Sequence, residues 1–184
     1  MTFFNNIKKT LFRKRLSSEI AKAPLPTGAQ HPDTAKDITI VFPADSASDR
    51  KVLDKWRDAH QRPGVRIRAI GYFAHEVGSA SFDFTMVTLK DKNWFGVPDN
   101  EAIRTYRSEP TQLLIRLGPP EHGVLDYLAA AKTAGLKVGP YSEEPMNPYH
   151  LMYDAGQAES FKDQLAAITH IFSFTNAAAI TSKI

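Results

Sequence analysis

Cysteine is absent from this 184-residue chain, which removes disulfide bridges, thiolate metal sites and a cysteine nucleophile at once. Such a composition fits a reducing compartment, and the chain is expected in the cytoplasm. No apolar run approaches the ~18 residues that a membrane span requires, and the N-terminus lacks the uninterrupted apolar segment of a secretory signal. Gly-x-Gly-x-x-Gly, P-loop, Gly-x-Ser-x-Gly and His-Glu-x-x-His patterns are all missing. The histidines, His31, His60, His75, His122, His150 and His170, are scattered without ligand spacing. No catalytic residue, metal or cofactor is called for, and an enzyme is not the favoured expectation.

What is present is enough apolar material, 42% of the chain, to bury the core of one domain. The net charge of +3 is unevenly spread. Residues 1–22 carry Lys8, Lys9, Arg13, Lys14, Arg15 and Lys22 against Glu19 alone, so the remainder is net negative. In the same stretch Phe3, Phe4, Ile7, Leu11, Leu16 and Ile20 recur at spacings near three and four, which predicts a basic amphipathic helix. Either this helix packs its apolar stripe on the domain, or Lys8, Lys9, Arg13, Lys14 and Arg15 engage an anionic partner: RNA, a ribonucleoprotein or, less favoured, a membrane surface. Residues 23–36, with three prolines and no periodicity, read as a stiff linker.

From there to residue 174 the pattern alternates. Strands are expected near 38, 65, 84, 113, 136 and 149 and helices near 49, 100, 121 and 158, with a frayed tail over 175–184. The clearest unit is Gln112 to Tyr141, where two apolar runs flank a helix bounded by Pro119, Pro120 and Gly135. A crossover of this length makes its two strands parallel. The fold expected is a three-layer α/β sandwich around a mainly parallel, Rossmann-like or flavodoxin-like sheet of five or six strands. Arg66 and Arg68 share one strand face and are expected to be solvated, near a sheet edge or beside a partner.

Lys90 to Asp99 holds two large aromatics where periodicity has stopped. Trp94 and Phe95 are expected to plug the core beneath a loop; the alternative is an exposed recognition surface with Lys90 and Lys92, suited to base stacking or protein contact. Asp99 is expected to cap the following helix.

In order, the basic helix, the first strand with its acidic loop, Asn93-Trp94-Phe95-Gly96-Val97-Pro98, Leu113-Leu114-Ile115 and Val138-Gly139-Pro140-Tyr141-Ser142 resemble a family of small bacterial proteins known only as a domain of unknown function. The resemblance covers nearly the whole chain and implies a shared fold. It implies no activity, because no function or catalytic residue is attached to that family. The first strand followed by Asp45 also resembles universal-stress-type nucleotide-binding domains, although their downstream glycine-rich phosphate loop is missing here.

Two functions from different classes follow. The first is a non-catalytic accessory protein whose arm docks on RNA or another anionic assembly, with protein assemblies as further partners. The second is a small-ligand or nucleotide-binding domain, with enzymatic activity as an option, using the loops beyond the strand ends, where Asp45, Ser46, Glu121, His122, Tyr141, Ser142 and Glu143 gather. An open pocket in which Asp45, His122 and Glu143 converge would favour the second; a filled one favours the first.

Overall fold

The computed structural model describes residues 2–23, 30–78, 81–155 and 160–174, the side chains of Thr2 and Phe3 excepted. Six strands, β1 (Asp37–Pro43), β2 (Arg66–Tyr72), β3 (Thr85–Val87), β4 (Leu113–Arg116), β5 (Leu136–Pro140) and β6 (Leu151–Tyr153), form one sheet in the order β3-β2-β1-β4-β5-β6. Every pairing is parallel. The helices are α1 (Thr2–Lys22), α2 (Ala47–His60), α3 (Glu101–Ser108), α4 (Gly123–Ala131) and α5 (Phe161–Ser173). The expected three-layer α/β fold is thus what the chain adopts. Residues 24–29 of the expected linker and the tail over 175–184 lie outside the described residues.

Strand order reverses between β1 and β4, and right-handed connections then require helices of opposite travel to cover opposite faces. Leu53 of α2 and Phe161, Leu165, Ile168 and Phe172 of α5 pack on one face, against Ile38, Ile40, Phe42, Leu113 and Ile115. Ile103 and Tyr106 of α3 and Val124, Leu125 and Leu128 of α4 pack on the other, against Val41, Ile70 and Leu114. The alternation of Ile40, Val41 and Phe42 between the two cores is the period of two that a strand imposes. Because both faces are covered, β1 and β4 are apolar almost throughout.

Local starts follow from side-chain caps. Ser46 Oγ accepts from Asp49 N–H at α2, and Ser160 Oγ from Asp163 N–H at α5. At α3 the cap is Asn100, whose Oδ1 accepts from Ile103 N–H, and not Asp99 as expected. Asp99 instead donates its backbone N–H to Asp91, one residue outside the position from which a cap can reach the first turn.

Arg66 and Arg68 meet both conditions set for them. β3 pairs only with Ile70, Gly71 and Tyr72, so the first half of β2 is an open edge. There Arg66 lies 2.7 Å from Asp37, and Arg68 lies between Asp37 and Glu109.

The N-terminal helix forms an additional layer outside α4. Phe12 and Leu16 pack against Val97, Tyr127 and Ala131, with the Phe12 and Tyr127 rings 6.3 Å apart. Phe12 is not among the residues of the expected apolar stripe, whereas Phe4, which is, stands 70% exposed. At 3.6 residues per turn, Phe4, Ile7 and Leu11 lie about a third of a turn away from Phe12 and Leu16. The docked face therefore joins Leu16 of the expected stripe to Phe12 outside it.

Candidate functional site

The reversal point between β1 and β4 is where sheets of this order bind nucleotides, with loop amides and a helix start turned toward phosphate. Among the described residues, polar groups at that place are bonded within the chain. Gly118, in a left-handed conformation at φ 107, sits so close to the Pro43 ring that an added Cβ would lie 2.7 Å from it. Its N–H is taken by Gln164 Oε1 of α5 at 2.7 Å, and the same oxygen accepts from Tyr153 Oη. At the start of α4, His122 Nδ1 accepts from Leu125 N–H, so the ring caps its own helix. Burial, then nearby Arg116, lowers the His122 pKa, and the ring is neutral at pH 7.

Beneath this loop lies Arg116, fully buried. One of its terminal nitrogens donates to the carbonyls of Gly118 and Pro119, and the other lies 3.1 Å from Asp126 of α4. Asp126 also accepts from Tyr149 Oη. The Tyr153 hydroxyl donates to the Arg116 carbonyl. A guanidinium, a carboxylate and two phenols thus lock the end of β4 to α4 and α5. Burial raises the pKa of Tyr149 and Tyr153, keeping both as neutral donors.

The seven residues expected to gather at the strand ends do not meet. Asp45 accepts from the backbone N–H of Ala74 and pairs with His75 at 2.7 Å, fastening the loop after β2. Ser46 caps α2, and Ser142 accepts from Glu144 N–H within its own loop. His122 meets the Tyr72 ring edge-on at 5.5 Å. Glu121, Tyr141 and Glu143 are exposed. Among the described residues, no hydrogen bond, ion pair or ring contact joins any two of these side chains. Nor, among the described residues, could any group of three or more His, Asp or Glu hold a metal ion.

The other expected surface takes shape on the far side of α3 and α4. Asn93 Oδ1 accepts from the N–H groups of Phe95 and Val97, and Gly96 adopts φ 94, which makes residues 93–97 a tight turn. The turn presses Phe95 toward α1 and turns Trp94 outward. Trp94 is 60% exposed, which corrects the expectation that it plugs the core; the plug is Val97, with Phe95 half-buried beside it. The two rings of the pair meet edge-to-face at 5.5 Å. Lys90 pairs with Glu76 at 3.1 Å, and Lys92 turns inward to reach Tyr72 Oη at 2.9 Å. Neither lysine accompanies Trp94 as a free cation.

Cations of α1 and α3 gather around Glu19 instead. Glu19 is 4% exposed and is approached by Arg15 at 3.2 Å, Arg107 of α3 at 2.9 Å and Lys22 at 3.8 Å. The only acid of the basic segment is therefore the residue that fastens it to the domain. Lys8, Lys9, Arg13 and Lys14 are exposed and make no ion pair among the described residues. Between α1, the 93–99 turn, α3 and α4 lies a groove of about 210 Å³ lined by Arg15, Phe95, Asp99, Arg104, Arg107 and Tyr127, among others. The adjacent Tyr127 hydroxyl, followed by Glu19, raises the Arg15 pKa above its ordinary value. Sequence periodicity could not reveal this groove, because its walls come from four separate segments. The one available signal is the lone acid in a basic helix.

Fold and site together define an all-parallel, doubly wound α/β protein whose N-terminal helix is docked as an outer layer. The chain belongs to a family of unknown function, DUF6913, whose model matches residues 8–172. No curated protein and no solved structure matches it.

Proposed function

We propose that this is a non-catalytic, cytoplasmic RNA-binding accessory protein whose docked N-terminal helix presents cations to phosphate. The observation that carries the reading is the docking itself. Phe12, Leu16 and Glu19 anchor α1, while Lys8, Lys9, Arg13 and Lys14 project from it with no ion pair among the described residues. Cations fixed on a folded surface lose less side-chain and backbone freedom on meeting phosphate than cations on a loose tail. Trp94, exposed nearby, offers a stacking face for an unpaired base. No described helix is long and apolar enough to cross a membrane. The internal bonding of polar groups at the reversal point weighs against the nucleotide-binding alternative.

The test is a titration of labelled single-stranded RNA with the full chain and with a variant carrying Lys8→Gln, Lys9→Gln, Arg13→Gln and Lys14→Gln, at about 50 and 200 mM salt. The expected result is weaker binding by the variant and a shallower logarithmic salt dependence, by about 0.7 for each phosphate that the variant no longer engages. Negligible binding by the intact protein, or identical slopes for the two, overturns the proposal. Binding confined to anionic phospholipid vesicles replaces it with a membrane-surface role.

A further inference from the structure

We infer that the groove between α1, the 93–99 turn, α3 and α4 is a phosphate subsite that holds one nucleotide unit, its phosphate on Arg15, Arg104 and Arg107 and its base along Phe95 and Trp94. The inference rests on the RNA reading above and gives it an address. Three guanidinium groups on two helices line one concavity, and the planar fork of arginine matches the oxygens of phosphate better than a lysine would. Among the described residues of the lining, Asp99 is the only acid. With Glu19 behind Arg15 and Arg107, these five groups still sum to a charge of +1.

The same lining carries two aromatic rings, Phe95 and Tyr127, and Trp94 meets Phe95 edge-to-face. Guanidinium groups and aromatic rings in one lining suit a phosphate carrying a flat ring, and suit an aliphatic carboxylate less well. Size sets a further limit. At about 210 Å³ the groove falls below the roughly 300–1,000 Å³ of pockets that enclose a whole drug-sized ligand, so it takes one unit and leaves the rest of a chain outside.

Arg104 and Asp99 make the test specific. They lie 3.6 Å apart with exposed side chains, and neither anchors α1. Removing the arginine takes away a phosphate donor, whereas removing the acid frees that donor and lifts a repulsion. The two substitutions should therefore move affinity in opposite directions, which a general loss of structure cannot do.

Calorimetric titration of the full chain with AMP, inorganic phosphate and adenosine is the experiment, joined by one short oligoribonucleotide bearing either a 5′-phosphate or a 5′-hydroxyl. AMP is expected to bind more tightly than either fragment. Arg104→Gln should weaken it about threefold to tenfold, as for a charge-assisted bond at an exposed site, and Asp99→Asn should strengthen it. Preference for the 5′-phosphorylated oligonucleotide assigns the subsite to RNA ends, and equal binding of the two assigns it to internal phosphates or free nucleotide. No binding of AMP or phosphate by the wild-type protein, or no response to either substitution, overturns the subsite even if salt-dependent RNA binding persists. AMP binding without RNA binding keeps the subsite and removes the RNA reading. Displacement of AMP by a glutamate-rich peptide at lower concentration than by RNA overturns the nucleotide assignment in favour of an acidic protein partner.

Discussion

Replacing Arg116 with methionine removes the charge at the reversal point while keeping most of the side-chain volume. The guanidinium is fully buried, donates to the Gly118 and Pro119 carbonyls and lies 3.1 Å from Asp126. Hydrogen bonds from a charged donor contribute about 1.5–3 kcal/mol each. Removing a buried charge also recovers several kcal/mol of desolvation, so these gains and losses largely offset each other. What remains is the cost of Asp126 left without its cation. Breaking a buried pair costs about 3–5 kcal/mol. Asp126 keeps 13% of its side chain exposed and retains the bond from Tyr149, which places the expected loss near the lower end, about 3 kcal/mol. At about 2–4 °C per kcal/mol for a chain of this size, Tm should fall by roughly 6–12 °C. Adding Asp126→Asn removes the stranded charge, and the double variant should lie within about 2 kcal/mol of wild type. Urea denaturation followed by far-ultraviolet circular dichroism, with unchanged m values, measures wild type, the double variant and both single variants, Asp126→Asn included. If Arg116→Met stays within about 1 kcal/mol of wild type, or if the double variant loses the sum of the two singles, the buried-pair reasoning is refuted.

Trp94→Ala should cost less than about 1 kcal/mol, since so exposed a ring leaves little cavity behind, while weakening RNA affinity; denaturation paired with the RNA titration checks both. A pH dependence follows from Lys132 and Lys137, each 1% exposed, whose pKa values burial lowers to about 8. Between about pH 8 and the ordinary lysine value near 10.5, the unfolded chain binds more protons than the folded one, so stability rises with pH. The window closes near pH 10, where unfolded tyrosines ionise while burial keeps Tyr106, Tyr149 and Tyr153 neutral in the fold, and stability falls again. Denaturation midpoints from pH 7 to 11 should show a maximum between about 9 and 10, and Lys137→Met should flatten the rising limb.

Much of the fold is readable because its signals are local. Leu113 to Leu117 and Leu136 to Val138 are apolar runs of strand length, Pro119, Pro120 and Gly135 sit at helix boundaries, and Phe161, Leu165, Ile168 and Phe172 keep a single helical face, all four of them buried. Periodicity reports which face of an element is apolar but not which face meets another element. That is why the pattern of α1 points Phe4 inward along with Leu16, while Phe4 is exposed and Phe12 packs beside Leu16. Trp94 misleads for a related reason: a large aromatic is more often buried than not, yet the φ of Gly96 and the two bonds to Asn93 Oδ1 decide which way the turn faces. Arg116 is hidden inside an apolar run, since its partners lie in the loop just after it and ten residues on at Asp126. The loop residues gathered by position stand at the strand ends as expected, but Asp45, Ser46, His122 and Ser142 spend their polar atoms on backbone or another side chain, and Glu121, Tyr141 and Glu143 face solvent. Such local bonding is invisible to a search for residue types.

The docking of α1 on α4 sets an order in time. The helix ends at Lys22, whereas the Tyr127 and Ala131 side chains that receive Phe12 and Leu16 leave the ribosome more than a hundred residues later. At roughly 5–20 residues per second, the gap is of the order of 5–20 s. For most of that interval Glu19 has no Arg107 to meet, and two apolar side chains wait beside cations near the anionic surface of the translating ribosome. The first helix to be made thus waits for the fourth before it can be placed, and whatever shields it meanwhile acts before the sheet is complete.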